Sequence, residues 1–190
     1  MSKDVSESAY WAERWQTGAT GWDLGGPCPV FVDLLLGDDA PPRGGRMAFP
    51  GCGSGHDLRL FLEHGYDAVG FDFAHHASDL PIEPVDVFEL GRLHPGAFSA
   101  VVEYTCYCAI DPRRREEYAA AIRESLLPGG LLIALLFPVE EREGGPPYGV
   151  DEGEIESVLG AGMEILRVTT PGNSVKPRLG RERLALLRKR

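Results

Sequence analysis

The chain has 190 residues and a mass of 20.7 kDa, a size that suits one domain because cores divide only well beyond about 200 residues. Hydrophobic residues make up 43% and charged residues 25%, which is typical of a globular protein and argues against wholesale disorder. Its 19 basic and 29 acidic residues leave a net charge of −10, which disfavours binding to nucleic acid and to anionic membranes. We therefore predict a single domain over residues 1–190 that acts on a small molecule or anion.

The lack of a predicted signal peptide and the pattern of cysteines predict a cytoplasmic protein. No apolar segment follows residues 1–4, so no signal peptide is predicted, and the longest apolar run, residues 131–137, is too short to span a bilayer. The four cysteines form no C-x-x-C pair and fit free thiols in a reducing compartment. No histidine pairs with cysteine at ligand spacing, and the adjacent His75 and His76 are a poor chelating pair, so no metal site is predicted.

Short apolar runs alternate with amphipathic segments along the chain, and glycine and proline cluster between them. This alternation predicts an α/β fold with a mostly parallel sheet and helices on both faces. In chain order we predict helix 6–16, helix 30–36, strand 46–50, helix 57–63, strand 66–73, strand 98–104, helix 112–127, strand 131–137, helix 151–159, strand 164–169 and strand 184–187.

A glycine-rich loop with Gly51, Gly53 and Gly55 joins the first predicted strand to a helix. Glycine lets a ligand approach the backbone closely, and the helix N-terminus offers free N–H groups. A nicotinamide-binding G-x-G-x-x-G motif would need glycine at position 56, which is His56, and no Walker-type Gly-Lys-Ser/Thr is present. The remaining spacing, G-x-G-x-G, is common in S-adenosylmethionine-dependent methyltransferases; the alternative is a tight turn without a ligand.

Two acidic residues follow the loop at positions suited to a nucleoside. Asp72 ends the second predicted strand, where a carboxylate can accept from both ribose hydroxyls, and Asp86, followed by Val87, can accept from an adenine amino group. Helix capping and loop solvation are the alternative roles. Because the carboxyl ends of parallel strands meet at one edge, we expect the glycine loop, both aspartates and Tyr104 to face one crevice.

All three tryptophans lie within the first 22 residues. Trp11 and Trp15 share one face of the first predicted helix, and Trp22 follows in a loop. The helix either packs these rings on the core or forms a lid whose π-faces meet a sulfonium cation and exclude water. We predict the second arrangement, with residues 1–27 as an N-terminal aromatic lid segment.

With these motifs in order, nearly the whole chain resembles the thiopurine, thiol and halide methyltransferases. The matching stretches are W-A-E-R-W at 11–15, G-W-D-L-G-G-P at 21–27, P-G-C-G-S-G-H-D at 50–57, G-F-D at 70–72, D-V-F at 86–88, E-Y-T-C-Y-C-A-I at 103–110, L-P-G-G at 127–130, F-P at 137–138 and G-G-P-P-Y at 144–148. The resemblance implies a three-layer, Rossmann-like class I methyltransferase fold that binds S-adenosyl-L-methionine.

The resemblance also implies roles for individual residues. Cofactor contacts would be Trp11, Trp15, Trp22, Gly51, Gly53, Asp72, Asp86, Val87 and Tyr104. The acceptor pocket would be lined by Thr105, Phe137 and Tyr148, and Arg115 best matches a basic residue of the thiopurine branch. Of these, Tyr104, Thr105 and Tyr148 are the expected catalytic residues, which would position the acceptor.

The implied reaction is methyl transfer to a small soft nucleophile: a thiol, hydrosulfide or halide. Opposite charges cancel in the transition state of in-line attack, so exclusion of water favours the reaction, and an anionic acceptor needs no strong base. The alternatives are the same fold acting on another small acceptor, such as an oxygen or a metalloid oxyanion, and a cofactor-binding protein with little catalysis. A monomer or weak dimer is expected.

The sequence departs from the family between its second strand and Asp86. Asp72 and Asp86 are close in sequence, and Pro81 and Pro84 lie between them, where relatives fit a helix and another strand. We therefore predict a shortened crossover over residues 73–85 and a third strand that is at most a stub. A natural loss, an engineered loss and an omitted segment are all compatible with this sequence.

Overall fold

The structure, a computed structural model, describes residues 4–74 and 78–190. The expectations about residues 1–3 and about His75 and His76 lie outside the described residues. The helices are α1 (Ser8–Thr17), α2 (Pro29–Leu36), α3 (His56–Glu63), α4 (Leu90–Leu93) and α5 (Arg115–Ser125), with a π-helical turn at Ile155–Leu159 and 3₁₀ turns at Val87–Glu89, Tyr107–Ala109 and Pro112–Arg114. The strands are β1 (Arg46–Pro50), β2 (Asp67–Phe71), β3 (Ile82–Glu83), β4 (Phe98–Tyr104), β5 (Leu126–Leu136), β6 (Met163–Thr169) and β7 (Arg183–Lys189).

The predicted α/β sheet is confirmed. Its order is β3-β2-β1-β4-β5-β7-β6, in which β1 to β5 are parallel, β7 is antiparallel to β5, and β6 is antiparallel to β7. Tyr104 at the end of β4 pairs with Leu135, which pairs in turn with Leu184 at the start of β7. The reversal of β7 therefore brings its amino end to the edge where β4 and β5 end.

The shortened crossover is also confirmed. Strand β2 ends at Phe71, and β3 pairs with it through two residues, Gly70↔Ile82 and Phe71↔Glu83. The described residues between the two strands, 72–74 and 78–81, contain no helix. A Cβ at Gly70 would lie 2.5 Å from Cys52 Sγ and 3.1 Å from Ile82 Cγ1, so this glycine permits the close packing of the stub.

The sheet separates two apolar clusters, which makes the fold three-layered. On one face Ala48, Val69 and Val101 pack with residues of α4 and α5. On the other, Met47 and Val102 pack with residues of α2 and α3. Residues 132–136 of β5 are buried throughout, which confirms the strand covered on both faces that its apolar run predicts.

Two further observations concern the described residues only. None of their helices is both long and apolar enough to cross a membrane. No group of three or more of their His, Cys, Asp or Glu side chains is arranged to hold a metal ion.

Candidate active site

Three cavities open at the carboxyl edge of the parallel strands. The first, which we call the tryptophan cleft, encloses about 800 Å³ together with the solvent at its mouth. The structure brings nine predicted site residues to this cleft. They are Trp11, Trp15, Trp22, Gly51, Gly53, Asp72, Asp86, Val87 and Thr105.

The glycine loop owes its shape to left-handed backbone conformations. The φ angles of Gly51, Gly53 and Gly55 are 59°, 52° and 73°, a region that side-chain-bearing residues rarely adopt. A Cβ at Gly53 would lie 3.3 Å from the Trp15 ring. The loop therefore lies directly beneath the aromatic segment and leaves its backbone open to the cleft.

Both predicted nucleoside-binding aspartates line the cleft and also hold the local backbone. Asp72 accepts hydrogen bonds from Gly53 N at 2.9 Å through Oδ2 and from Ala74 N at 2.9 Å through Oδ1. Asp86 caps the following 3₁₀ turn by accepting from Phe88 N at 3.1 Å. Each carboxylate oxygen has two lone pairs, so these bonds leave capacity to accept from ribose hydroxyls or an adenine amino group.

The tryptophans pack on one another at the cleft. Trp22 meets the rings of Trp11 and Trp15 edge-on, with centroids 5.4 and 5.5 Å apart, a favourable aromatic geometry. The Trp11 indole donates to Val5 O at 2.8 Å, which ties the segment before α1 to the same group. No residue of α1 is fully buried, which fits a lid better than a helix packed on the core.

The second cavity, which we call the acidic cavity, has a volume of about 580 Å³ and contains Asp23 and Asp57 among its lining residues. Asp57 accepts from Cys28 N at 2.7 Å, and burial raises the pKa of its carboxyl to about 6. Asp23 accepts from Ser54 Oγ at 2.5 Å and lies 3.1 Å from His56 Nε2. This cavity is polar, and the glycine loop lines part of it through Gly51 and Gly53.

The third cavity, which we call the arginine chamber, has a volume of about 1000 Å³. Its described lining residues include Arg14, Arg178 and Arg181 and no acidic residue. Apolar groups make up most of the rest. They are Trp11, Ala19, Trp22, Cys108, Ala109, Phe137, Pro146, Pro147 and Pro177. The chamber therefore has arginines set among apolar walls, and it contains the predicted acceptor residues Thr105 and Phe137.

Trp22 and Thr105 are the two described residues that line all three cavities. Thr105 directly follows β4 and has a φ of 62°, a true outlier for a β-branched residue. Such strain is concentrated at functional sites, where the surrounding structure holds it in place. The junction of the cavities is thus a rigid point of the molecule.

The structure places Tyr104 in the acidic cavity and not in the tryptophan cleft. Its hydroxyl donates to Glu182 Oε1 at 2.8 Å and accepts from Arg178 Nη1 at 2.5 Å. Burial raises the pKa of this phenol far above its usual value, so the hydroxyl stays protonated. Tyr104 acts here as a hydrogen-bonding link between strand β4 and the C-terminal loop.

Two predicted acceptor residues lie outside the three cavities. Tyr148 lines none of them; it is half-buried and its backbone N–H donates to Cys108 O at 2.7 Å. Arg115 is 3% exposed and donates from Nη1 to both carboxylate oxygens of Glu154 at 2.8 Å and from Nη2 to Gly149 O at 3.0 Å. The acceptor roles of both residues stay predictions, and the contacts of Arg115 give it a structural role.

The three consecutive arginines diverge because each step along the chain turns the side chain to a new direction. Arg113 is exposed and pairs with Asp111, whereas Arg114 lines the tryptophan cleft with its guanidinium 3.6 Å from the Phe88 ring centre. Arg115 points into the protein. Sequence spacing alone does not separate these three roles.

Sequence reasoning missed Arg14, Arg178, Arg181 and Glu182. The last three belong to the segment between β6 and β7, a loop rich in glycine, proline and polar residues. A long connection of this kind is a recognised signal of function. The position of this loop follows from the antiparallel direction of β7 next to β5, which the sequence does not indicate.

Comparison with known proteins agrees with this geometry. The family model described as "Thiopurine S-methyltransferase (TPMT)" matches residues 6–83 and 75–188, two stretches that overlap at the short crossover. A relative named "Probable thiol methyltransferase 2" from Arabidopsis thaliana is 36% identical over 97% of this chain and 86% of its own. "Thiocyanate methyltransferase 1" from Brassica oleracea is 30% identical over 98% of this chain and 87% of its own.

Solved structures share the fold at lower identity. The 1,6-didemethyltoxoflavin-N1-methyltransferase of Burkholderia thailandensis, solved with bound S-adenosylhomocysteine, has a TM-score of 0.72 and 19% identity, covering 96% of this chain and 86% of that one. A TehB-like S-adenosylmethionine-dependent methyltransferase from Corynebacterium glutamicum has a TM-score of 0.64 and 20% identity, covering 98% and 100%. These likenesses show the class I methyltransferase fold.

Proposed function

The chain belongs to the thiopurine S-methyltransferase family and is an S-adenosylmethionine-dependent methyltransferase, and on that premise we propose that its acceptor is a small soft anion: a thiolate, hydrosulfide or halide. The observation that carries the proposal is the arginine chamber, which borders the tryptophan cleft and is lined by three arginines in a protein of net charge −10; Arg181 is paired with Glu140, so Arg14 and Arg178 are the cations offered to an anion. A local positive field within an acidic protein concentrates anions at that one place.

The residues present fit the cofactor. A sulfonium carries three substituents, and three cavities of different chemistry converge at Trp22 and Thr105. The tryptophan cleft, with Asp72, Asp86 and Val87, suits the adenosyl group, and the acidic cavity suits the amino-acid chain with its ammonium group. The methyl group would then face the arginine chamber.

S-adenosylmethionine supplies an electrophilic methyl group on a positively charged sulfur. Gly51 and Gly53 would let it approach the backbone, and Asp72 would accept from the ribose hydroxyls. The rings of Trp11, Trp15 and Trp22 offer π-faces to the cation, an attraction that strengthens where water is excluded.

The acceptor's surroundings favour in-line attack by an anion. The apolar walls of the chamber, including Phe137 and Pro146, strip water from the nucleophile, which raises the energy of the separated ions more than that of the charge-neutralised transition state. Thr105 orients the two reactants at the junction. An acceptor that is already anionic needs no general base, and the protonated Tyr104 is consistent with that.

The relatives support this acceptor class. Two of them are named as a thiol and a thiocyanate methyltransferase, and both are matched over nearly the whole of this chain. We include in the proposal the cytoplasmic location and the monomeric or weakly dimeric state expected from the sequence.

The direct test is a panel assay with S-adenosylmethionine and iodide, bisulfide or thiophenolate as acceptor. We expect headspace methyl iodide, methanethiol or thioanisole to appear with stoichiometric S-adenosylhomocysteine. Methylation of a neutral oxygen or nitrogen acceptor but of none of these anions would overturn the proposed acceptor class. Calorimetric binding of S-adenosylhomocysteine without turnover of any acceptor would instead identify a cofactor-binding protein with little catalysis.

A further inference from the structure

A chain of hydrogen bonds runs from a buried carboxylate to the aromatic lid. Glu182 Oε1 accepts from the Tyr104 hydroxyl at 2.8 Å, and that hydroxyl accepts from Arg178 Nη1 at 2.5 Å. Arg178 Nη2 then donates to the carbonyl oxygen of Trp22 at 2.8 Å. One guanidinium is thus shared between the end of β4, the C-terminal loop and the lid.

The sheet topology brings these residues together. Tyr104 is the last residue of β4, and Glu182 directly precedes β7, one strand beyond the intervening β5. Because β7 runs antiparallel, its amino end reaches the edge at which β4 ends. Arg178 lies four positions before Glu182, in a turn where its backbone N–H donates to Val175 O at 2.8 Å.

The direction in which the Tyr104 hydroxyl proton points makes Glu182 the controlling group of this hydrogen-bond chain. A tyrosine hydroxyl has one proton, and an ionised carboxylate can only accept. When the Tyr104 hydroxyl donates its hydrogen bond to Glu182, the lone pairs of the phenolic oxygen face Arg178. Without Glu182 the proton is free to rotate, and Arg178 loses a fixed acceptor for one of its two terminal nitrogens.

Two charged side chains of this hydrogen-bond chain are buried, which carries a desolvation cost. Glu182 is 0% exposed and Arg178 is 4% exposed. Burial raises the pKa of the Glu182 carboxyl, and the Ser174 hydroxyl, the Tyr104 hydroxyl and the Arg178 charge each offset part of that effect. A buried carboxylate and a buried guanidinium linked through one hydroxyl are costly to desolvate, and such buried charges are often no more stabilising than apolar side chains of similar volume.

Arg178 reaches the acceptor site and Glu182 does not. Arg178 lines the arginine chamber, where its guanidinium lies 4.9 Å from the Phe137 ring centre. Glu182 is absent from the described lining residues of all three cavities. The hydrogen-bonded route from Glu182 to the acceptor site therefore runs through Tyr104 and Arg178.

We propose that Glu182 is a positioning residue: through Tyr104 it holds the Arg178 guanidinium between the acceptor chamber and the Trp22 carbonyl, so that one cation both receives the acceptor anion and fastens the lid. The part that concerns the acceptor rests on the anionic acceptor proposed above. The part that concerns the lid does not, because it predicts an effect on cofactor affinity alone.

The test uses the full-length variants Glu182→Ala, Glu182→Gln and Arg178→Met. We expect Glu182→Ala to raise the KM for iodide about tenfold or more, with a smaller change in kcat, and to weaken S-adenosylhomocysteine binding several-fold by calorimetry. Glu182→Gln keeps an oxygen that accepts from Tyr104 and restores both values to within about threefold of wild type. In the Arg178→Met background, Glu182→Ala changes the KM and the cofactor affinity by less than about twofold further, because the two residues act through the same hydrogen bonds.

A structural role gives a different pattern. If Glu182→Ala lowers the melting temperature while KM and cofactor affinity stay at wild-type values, or if its effect adds in full to that of Arg178→Met, the proposal is overturned. Should Glu182→Ala fail to fold, Tyr104→Phe removes the bridging oxygen and is expected to raise the same KM; an unchanged KM there overturns the proposal equally.

The two proposals fail separately. If the wild-type protein methylates none of the anionic acceptors, the proposed function is wrong, and the calorimetric values still test the connection between Glu182 and the lid. If the wild type methylates iodide and all variants match it in both KM and cofactor affinity, the anionic acceptor stands and the positioning role is wrong.

Discussion

Trp22 lines the same three cavities as Thr105, although the two residues belong to segments far apart in the chain. Trp22 comes from the loop after α1 and Thr105 from the end of β4. The first contributes an aromatic face and the second a strained backbone position, and together they mark the point at which a bound sulfonium would meet its acceptor.

The Trp22 ring is expected to distinguish a sulfonium from a neutral thioether. Trp22→Ala removes the ring that joins Trp11 and Trp15, and we expect affinity for S-adenosylmethionine to fall about tenfold or more and that for S-adenosylhomocysteine to fall less, because only the first is a cation. Calorimetry measures both. Trp22→Phe is the matched control, since it keeps an aromatic face; equal losses for both ligands in the alanine variant would show that the ring acts only by packing.

Thr105→Gly is expected to separate stability from activity. Glycine adopts the left-handed conformation without strain, so the melting temperature should stay level or rise, while methyl transfer falls because the side chain at the junction is gone. Ser99→Gly, in strand β4 just before Thr105 and without a positive φ, is the control and should lower the melting temperature. A Thr105→Gly protein that melts much earlier than wild type would contradict the strain argument.

Arg14 is expected to attract the acceptor. Its guanidinium lines the chamber and lies over the Tyr10 ring, 4.3 Å from the centroid. Arg14→Met should raise the KM for iodide several-fold and leave the affinity for S-adenosylhomocysteine nearly unchanged, since the residue lines neither of the other cavities. Arg92→Met makes the same charge change at an exposed side chain of helix α4 and should leave KM unaltered. Matching increases in both variants would indicate only an effect of net charge.

Arg115 is expected to act on folding and not on the acceptor. Arg115→Met breaks the bond to Glu154 and should lower the free energy of unfolding by about 2 to 4 kcal/mol, because a partly buried carboxylate loses its partner. Urea denaturation measures this, and KM for iodide well below the melting temperature should stay at the wild-type value. Arg113→Met, two positions away and exposed, should change stability little. A raised KM in Arg115→Met would restore the acceptor role that the sequence suggested.

Glu103 is expected to make the protein less stable as pH rises. Burial raises the pKa of its carboxyl to about 7, although the Tyr107 N–H, 2.6 Å from Oε1, opposes the shift. The native state then holds a proton that the unfolded state releases near the ordinary pKa of about 4.3, so the free energy of unfolding falls with pH between about 4.3 and 7.

Glu103→Gln keeps an oxygen that accepts from Tyr107 and has no proton to lose, so its stability should fall less over that pH range. Denaturant titrations at pH 5 and pH 8 give the comparison. Asp57, whose pKa burial raises to about 6, contributes in the same direction and leaves a residual slope. Identical slopes for wild type and Glu103→Gln would mean that Glu103 does not titrate in this range.

Much of the fold could be predicted because its signals are local. The apolar run of β5 and the glycine loop before α3 each indicate their structure within a few residues. The proline-containing stretch after Asp72 indicated the short crossover, because a parallel connection with a helix does not fit there. The short helix α4 was not predicted, since four residues are too few to show a period.

In the candidate site, too, some residues could be predicted from local motifs and others could not. The tryptophans, the glycine loop and Asp72 belong to compact motifs in the first half of the chain, and the structure brings them together as expected. The acceptor role of Arg115 stays a prediction, because three adjacent arginines look equivalent in sequence and differ only in the direction in which the chain turns them. Arg178 and Glu182 gave no local signal beyond a long polar loop.

By itself, the order of residues determined the class of fold, the cofactor loop and the aromatic segment, because each depends on contacts between near neighbours in the chain. Only the tertiary structure decided which cations line the arginine chamber and what holds them. Those contacts depend on the reversal of the last strand, and strand direction is a property of the whole sheet that no short stretch of sequence carries.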